Sequence, residues 1–176
     1  MNDRFPAEAE RLAQYGKAEQ EQILGPGDDL YGVAYTGLSW LPKEIHFGIR
    51  AGDGRLVAHT GLRALQLTVG GTDLAAMGVG GVCVAPDQRG GGLARTVVNA
   101  ALDHARELGH RYALLFCRPE KTGLYRKLGF REVAEVVTVE QPEGRLAEMP
   151  LRTMWSPLVA GAAWPEGPVR LRSLPM

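Results

Sequence analysis

The chain has 176 residues, of which 45% are hydrophobic and 23% charged, proportions typical of a globular protein with one substantial core. Its 20 basic and 20 acidic side chains give a formal net charge of zero, so no general attraction to nucleic acid or to an anionic membrane is indicated. No apolar run approaches bilayer length, and the N-terminus lacks a signal-peptide pattern. We therefore expect a single cytoplasmic domain over residues 1–176, with neither nucleic acid nor membrane as a partner.

The first part of the chain, residues 1–43, is expected to form a helix and an irregular connection. Residues 6–24 are rich in Ala, Glu, Gln and Leu and end at Gly25-Pro26-Gly27, which predicts a helix. Residues 25–43 have no clear period, and their Gly, Pro and Asp content predicts a loop. Three aromatic residues of this loop either anchor it on the core or contact a substrate: Tyr31, Tyr35 and Trp40.

A run of predicted strands follows. Apolar residues alternate with other residues over 44–50, and longer strand patterns cover 55–69 and 72–85. The turn sequences Gly52-Asp53-Gly54 and Gly70-Gly71 join these three strands into an antiparallel meander.

The third strand contains an unusual glycine-rich segment, Gly78-Val79-Gly80-Gly81. Glycine weakens the interior of a strand, so this segment predicts either a bulge or the close approach of another group. The alternative is a twisted strand with no ligand beside it.

A second glycine-rich segment, Arg89-Gly90-Gly91-Gly92, joins the third strand to a helix. Apolar residues recur at helical spacing from Leu93 to Leu108, and Gly109 ends the pattern. Glycines at such a junction leave backbone N–H groups unhindered at the positive end of the helix dipole, which suits a phosphate or pyrophosphate. The segment is neither a Walker loop nor a Gly-x-Gly-x-x-Gly dinucleotide motif. The alternative is a flexible turn without a ligand.

The remaining elements complete a mixed sheet. A strand over Tyr112–Cys117, a helix near 124–128 and strands over Val133–Val139 and Met149–Trp155 are expected, followed by an irregular, proline-rich tail over 156–176. Three antiparallel strands followed by strand–helix–strand predict an α/β (α+β) fold in which strand direction is mixed.

Two segments resemble the GNAT superfamily of acyl-CoA N-acyltransferases. The run Arg89-Gly90-Gly91-Gly92-Leu93-Ala94 is similar to its pyrophosphate-binding motif, Arg/Gln-x-x-Gly-x-Gly/Ala, and Leu124–Phe130 is similar to its helix-then-strand signature. The resemblance covers residues 44–155. It implies a mixed, mostly antiparallel sheet with a V-shaped splay between the strands before and after the main helix, and a cleft for the pantetheine arm of acetyl-CoA in that splay.

The resemblance also implies site residues for acetyl transfer from acetyl-CoA to a small primary amine by direct attack. Tyr125 stands where the family often places the acid that protonates the leaving thiolate, and a phenol of pKa about 10 is protonated at neutral pH. The alternative for Tyr125 is a packed helix aromatic. The expected cofactor contacts are Val82, Cys83 and Val84 for pantetheine and Arg89, Gly90, Gly91, Gly92, Leu93, Ala94 and Arg95 for pyrophosphate, with Gly80 and Gly81 lining the cleft.

No residue is clearly indicated as the general base that accepts the proton of the amine. The chain looks most similar to the aminoglycoside 2′-N-acetyltransferase type, but it has Gly80 where that type has an acidic base. His59 on the neighbouring strand is a candidate base that can titrate near neutral pH, with His46 and Glu120 as further choices. A reaction without a dedicated base is the other possibility.

Several alternatives stay open at this point. The missing acid at Gly80 keeps a non-catalytic acyl-CoA-binding or regulatory module in consideration, and a longer-chain acyltransferase would use the same cleft. Cys83 and Cys117 lie in apolar strands and are expected as buried free thiols rather than acyl carriers. No metal-ligand spacing is present. Many relatives form homodimers through C-terminal strands, and Met149–Trp155 is the candidate segment here.

Overall fold

Ten strands join into one mixed sheet in the computed structural model, which describes residues 8–176. The strands are β1 (Glu10–Leu12), β2 (Ile45–Arg50), β3 (Leu56–Val69), β4 (Thr72–Val84), β5 (Tyr112–Cys117), β6 (Arg131–Glu132), β7 (Val137–Glu140), β8 (Leu146–Glu148), β9 (Arg152–Pro157) and β10 (Val169–Leu171). The helices in this part of the chain are α1 (Lys17–Leu24), α2 (Leu93–Glu107) and α3 (Thr122–Arg126).

The strand order confirms the expected mixed, mostly antiparallel sheet. The order is β6-β9-β5-β4-β3-β10-β7-β8, and β2 pairs with β3 on one side and β1 on the other. Among the pairs in residues 8–176, β4 with β5 and β10 with β7 are parallel, and the others are antiparallel. The parallel pair β4 and β5 is joined by α2, the long crossover that a parallel connection requires.

Strands β4 and β5 are paired at one end and apart at the other. Met77 lies opposite Ala113 and Gly78 opposite Leu114, and the register between the two described strands extends no further. From Gly78 to the end of β4, the edge that faces β5 therefore borders an opening. This divergence confirms the predicted V-shaped splay.

A β-bulge lies in β4 just beyond the point of divergence. The pairing of β3 with β4 changes register between His59 and Gly61, where β4 carries one extra residue. Gly81, in the bulge, has a φ of +60°, a left-handed conformation that glycine adopts without a steric cost. The bulge predicted from the glycine-rich segment is thus confirmed.

Helix α2 packs its apolar face on β2, β3 and β4 and thereby fixes where its N-terminus lies. Among the helices of residues 8–176, none combines the length and apolar character needed to cross a bilayer. Of the apolar positions predicted from Leu93 to Leu108, Leu108 is exposed, and α2 buries those in its middle turns: Val97, Val98, Ala101, Leu102 and Ala105.

The predicted helix over 6–24 is wrong in its first half. β1 pairs antiparallel with β2, and α1 begins only at Lys17. Leu12 is buried in the core, and Glu10 accepts a 2.8 Å hydrogen bond from Arg50, so tertiary packing outweighs the helix propensity of this stretch. Residues 6 and 7 of the predicted helix lie outside the described residues.

The C-terminal part of the chain also differs from the prediction. β10 lies within the tail predicted to be irregular, and it inserts between β3 and β7. Only the end of the predicted strand over Val133–Val139 is a strand, as part of β7, and residues 133–136 separate it from β6. β9 lies between β5 and β6, so its hydrogen-bonding groups are used inside the sheet. β9 is thus not an outer strand, and the dimer role of Met149–Trp155 stays a prediction.

Replacing Gly81 by Ala is expected to destabilise the fold more than replacing Gly71 by Ala. Both glycines have a left-handed φ, +60° and +84°, so each alanine should cost about 1–2 kcal/mol of backbone strain. A Cβ at Gly81 would also meet His59 Cε1 at 3.3 Å and the Tyr31 hydroxyl at 3.4 Å, whereas nothing lies within 4 Å at Gly71. Urea unfolding measures both variants, and equal losses would contradict the close packing at the bulge.

Candidate active site

The N-terminus of α2 presents backbone N–H groups to an open surface. Gly90 and Gly92 both have a φ of +81°, and Gly92 is the N-cap residue. The Thr96 N–H donates to the Gly92 carbonyl at 3.1 Å, so the preceding N–H groups of Leu93–Arg95 have no acceptor within the helix. A Cβ at Gly90 or Gly92 would meet nothing within 4 Å, which leaves room for a ligand against the backbone.

The charges around this helix end favour an anion. Arg89 and Arg95 are both exposed there, and Arg89 donates from Nε to the Val84 carbonyl at 3.2 Å. The nearby Asp87 carboxylate is occupied by Arg55 at 2.6 Å, and this guanidinium lowers the pKa of Asp87. The first turn of α2 has no acidic residue. The helix dipole and the two guanidinium groups therefore both attract an anion to this end of the helix. The structure thus brings the predicted motif residues 89–95 into one loop and helix end.

The predicted pantetheine contacts lie on the free edge of the splay. Val82 and Val84 are half-buried, and Cys83 between them is buried. Because β5 has already diverged, backbone groups along this part of β4 are available to a ligand that lies between the two strands. The segment leads directly from the bulge to the glycine-rich loop, so the two halves of the expected cofactor site are contiguous.

Tyr125 lies in α3 near the ends of both diverging strands. Its ring is 8% exposed and packs edge-to-face on Phe130 with 6.0 Å between centroids. Burial raises the pKa of Tyr125, and the nearby thiols of Cys117 and Cys83 raise it further. The phenol is therefore protonated at neutral pH, which is the state required of a general acid. Its ring also packs in the core, as expected from the alternative that Tyr125 is a packed helix aromatic.

The two cysteines are buried free thiols, as expected. Burial raises the pKa of Cys117 to about 11, with Glu132 and Glu120 adding to the effect. Burial also raises the pKa of Cys83, whose sulfur lies 3.7 Å from the Tyr15 hydroxyl. Both thiols are protonated near neutral pH, a state of low nucleophilicity.

His59 holds the bulge in place. Its ring is 1% exposed, Nδ1 donates to the Gly81 carbonyl at 2.8 Å, and Nε2 lies 3.0 Å from His46 Nδ1. The ring stacks on Tyr15 with 3.3 Å between centroids. Burial is the main cause that lowers the pKa of His59 to about 3. With both ring nitrogens engaged, His59 has no free nitrogen in this arrangement to receive a proton directly from an amine, and its role as general base stays a prediction.

Two tyrosines whose proximity is not predicted from the sequence lie beside the bulge. The hydroxyls of Tyr15 and Tyr31 are 2.7 Å apart, and Tyr31 reaches the space over Gly81. The loop that carries Tyr31 is held by Arg118, which donates to the Gly32 carbonyl at 2.6 Å. Of the three loop aromatics, Tyr31 contacts the site, and its sequence pattern alone gave no reason to separate it from the other two.

Lys43 lies at the site although no pattern in the sequence indicates it. Its Cε would lie 2.7 Å, and its Nζ 3.3 Å, from a Cβ at Gly80, and its Cβ and Cγ would lie 2.6 Å from one at Gly61. Two glycines on adjacent strands therefore form a channel for this side chain. Burial lowers the pKa of Lys43 to about 8. The space over Gly80 thus holds the end of a lysine side chain.

A family model described as an acetyltransferase (GNAT) domain matches residues 39–133, more than half of the chain. The chain belongs to the GNAT acetyltransferase family. It is accordingly an acyltransferase that uses acetyl-CoA. No curated protein matches it in sequence.

Solved structures of GNAT proteins share the fold. The N-acetyltransferase YhbS from Escherichia coli, in complex with CoA, is 18% identical, with 96% of this chain and 92% of that chain covered and a TM-score of 0.60. A GNAT acetyltransferase from Staphylococcus aureus Mu50 is 12% identical over 86% of this chain and 100% of its own, with a TM-score of 0.54. N-acetylglutamate synthase from Neisseria gonorrhoeae, complexed with coenzyme A and N-acetyl-glutamate, is 15% identical, with a TM-score of 0.56. The match covers 88% of this chain and 36% of that chain.

The residues of this GNAT chain fit acetyl-CoA. Diphosphate oxygens need donors and positive charge, which residues 89–95 supply at an unobstructed helix end. An extended amide-containing arm needs a strand edge without a partner, which β4 supplies beyond Gly78. The two features are adjacent along the chain, in the order that a single extended ligand requires.

The imidazole resonances of His59 are expected to stay constant between about pH 5 and 8 in the folded protein. The folded pKa is about 3, whereas the unfolded chain takes up the proton near the ordinary value of about 6.5. The unfolded state therefore binds more protons between these values, and this group weakens the fold as the pH falls below about 6.5. NMR titration follows the ring, with the urea-unfolded chain as control, and a normal midpoint in the folded protein would contradict the buried network.

Proposed function

We propose that this chain transfers an acetyl group from acetyl-CoA to a small primary amine by direct attack of the amine on the thioester. The observation that carries the proposal is the continuity of the site. The opening between β4 and β5 starts at the Gly81 bulge, follows the free edge of Val82–Val84 and reaches the helix end at Arg89–Arg95.

Each part of this path has a role. The N–H groups and guanidiniums of Arg89–Arg95 would bind the pyrophosphate, and the edge of Val82–Val84 would bind the pantetheine arm. Backbone N–H groups at the bulge would polarise the thioester carbonyl. Of the two cleft glycines, Gly81 would keep the reacting end clear, because a side chain there would crowd His59, whereas Lys43 lies over Gly80.

The chemistry requires a proton at the leaving sulfur. As the amine nitrogen bonds to the carbonyl carbon, the carbon–sulfur bond breaks, and Tyr125 would donate its phenolic proton to the departing thiolate. The proton that the amine loses passes to solvent and restores the phenol. His59 keeps the bulge in position during these steps.

The acceptor is proposed to be a small amine rather than a polycationic one. The sequence looks similar to the aminoglycoside 2′-N-acetyltransferase type, whose acidic base would align with Gly80. The space over Gly80 holds the Lys43 side chain instead. Below its pKa of about 8 this lysine is mostly protonated and would repel a polycationic acceptor, which argues against aminoglycosides.

We also propose that the protein acts in the cytoplasm as a homodimer. β9 is internal, and the outer strands of the described sheet are β1, β6 and β8. Sedimentation at several protein concentrations tests this association, and a monomer at all concentrations would exclude it.

Replacing Gly92 by Glu is expected to abolish binding of acetyl-CoA. The new carboxylate would stand at the helix end where the pyrophosphate is proposed to bind, and like charges repel. Gly109→Glu is the matched control, because Gly109 ends the same helix with a φ of +82° and equally open surroundings. Calorimetric titration measures both variants. Equal affinity in Gly92→Glu, Gly109→Glu and the unmodified chain would overturn the proposed cofactor site.

Replacing Tyr125 by Phe is expected to lower kcat about 100-fold while acetyl-CoA affinity is retained. The substitution keeps the ring that packs on Phe130 and removes only the proton donor. Turnover is read as thiol release across a panel of small amines. Tyr112→Phe is the control, since that hydroxyl donates to the Ala163 carbonyl at 2.9 Å on a remote surface. Unchanged kcat in Tyr125→Phe would remove the role of Tyr125 as acid.

A further inference from the structure

Lys43 differs from the other lysines of the chain in its surroundings. The chain has four lysines, and Lys17, Lys121 and Lys127 are exposed. Lys43 is half-buried, with its aliphatic stem over Gly61 and its end over Gly80. Its position is thus set by the sheet, whereas exposed lysine side chains sample many conformations.

Among the described residues, no carboxylate pairs with the ammonium of Lys43. None of the ion pairs within residues 8–176 involves Lys43, and the adjacent Glu44 is engaged by Arg63 at 3.1 Å. A buried amine without an anionic partner favours its neutral form.

The titratable groups that face Lys43 do not supply a negative charge either. The Tyr31 ring centroid lies 6.0 Å from Nζ, and burial raises the pKa of the Tyr31 phenol. His46 and His59 lie on the neighbouring strands, and burial lowers the pKa of each, so both rings are neutral. Burial alone lowers the pKa of Lys43 to about 8, against about 10.4 for an exposed lysine. Near pH 8 a large fraction of Lys43 is therefore a neutral, nucleophilic amine.

The amine also lies at the reacting end of the proposed cofactor site. Nζ would be 3.3 Å from a Cβ at Gly80, and Gly80 directly precedes the bulge residue Gly81. Gly80 is also next to the point at which β4 leaves β5. A thioester held at the bulge would thus have the Lys43 amine beside it, on a side chain long enough to reach the carbonyl carbon.

We propose that Lys43 is a site of self-acetylation, which takes the acetyl group from the acetyl-CoA bound in the same chain. The inference rests on the proposed function. Nζ forms a bond to the carbonyl carbon and the carbon–sulfur bond breaks. The thiolate accepts the proton of Tyr125, and the proton lost by the amine restores the phenol through solvent. The products are an N-acetyl-lysine and the CoA thiol, so no other reactant is needed.

This modification would change the site. Acetylation removes the positive charge of Lys43 and places an amide over Gly80, where the acceptor amine would approach. The modified chain would then retain the helix end that binds pyrophosphate, because residues 89–95 are untouched. Self-acetylation would occur mainly when no acceptor amine is present to compete.

The test uses the full chain incubated with acetyl-CoA alone near pH 8, followed by peptide mass spectrometry. We expect Lys43 to acquire one acetyl group at least about tenfold faster than Lys17, Lys121 or Lys127, which serve as internal controls for uncatalysed acetylation. Gly92→Glu should slow labelling of Lys43 and leave the three exposed lysines unchanged. Lys43→Arg should remove the fast site while calorimetry shows retained acetyl-CoA affinity.

The outcomes separate this inference from the function on which it rests. Equal rates at all four lysines, or fast labelling of Lys43 that Gly92→Glu does not slow, would overturn self-acetylation. If acetyl-CoA binds and small amines are acetylated while Lys43 stays unlabelled, self-acetylation fails and the proposed function stands. If acetyl-CoA does not bind at all, both fail together.

Discussion

The site depends on the 2.8 Å hydrogen bond from His59 Nδ1 to the Gly81 carbonyl, which holds the extra residue of β4 in its bulge. The bulge lies just past the last pairing of β4 with β5, so the two strands separate there. Helix α2 packs on the same sheet and sets its open N-terminus beyond the end of β4. One local distortion, held by the His59 hydrogen bond, thus aligns a free strand edge with an anion-binding helix end.

Burial determines the protonation of every titratable group around this bulge. It lowers the pKa values of His46, His59 and Lys43 and raises that of Tyr125, so each group is displaced toward its neutral form. A neutral phenol suits protonation of a leaving thiolate, and a neutral amine suits attack on a carbonyl. Within residues 8–176 no ion pair involves Lys43, and its side chain lies over Gly80.

The sequence predicts the parts of this structure that depend on local pattern. The α2 helix, the long strands β3 and β4 and the bulge at Gly81 follow from spacing and from glycine placement. Local pattern does not predict contacts between segments that are far apart in the sequence. β1 forms because Leu12 packs against β2, although its sequence favours a helix, and the placement of Lys43 over Gly80 joins residues that no period relates. His59 looked like an accessible base because sequence does not show burial.

Amide hydrogen exchange of the full chain with and without CoA tests the central claim, that the splay and the helix end form one cofactor site. We expect slower exchange of the amides over 81–84 and 90–95 when CoA is added, and little change elsewhere in the sheet. A groove lined in part by Thr138, Val169 and Arg170 lies on β7 and β10, away from the splay. Slower exchange confined to that groove, or no change at 81–84 and 90–95, would contradict the account.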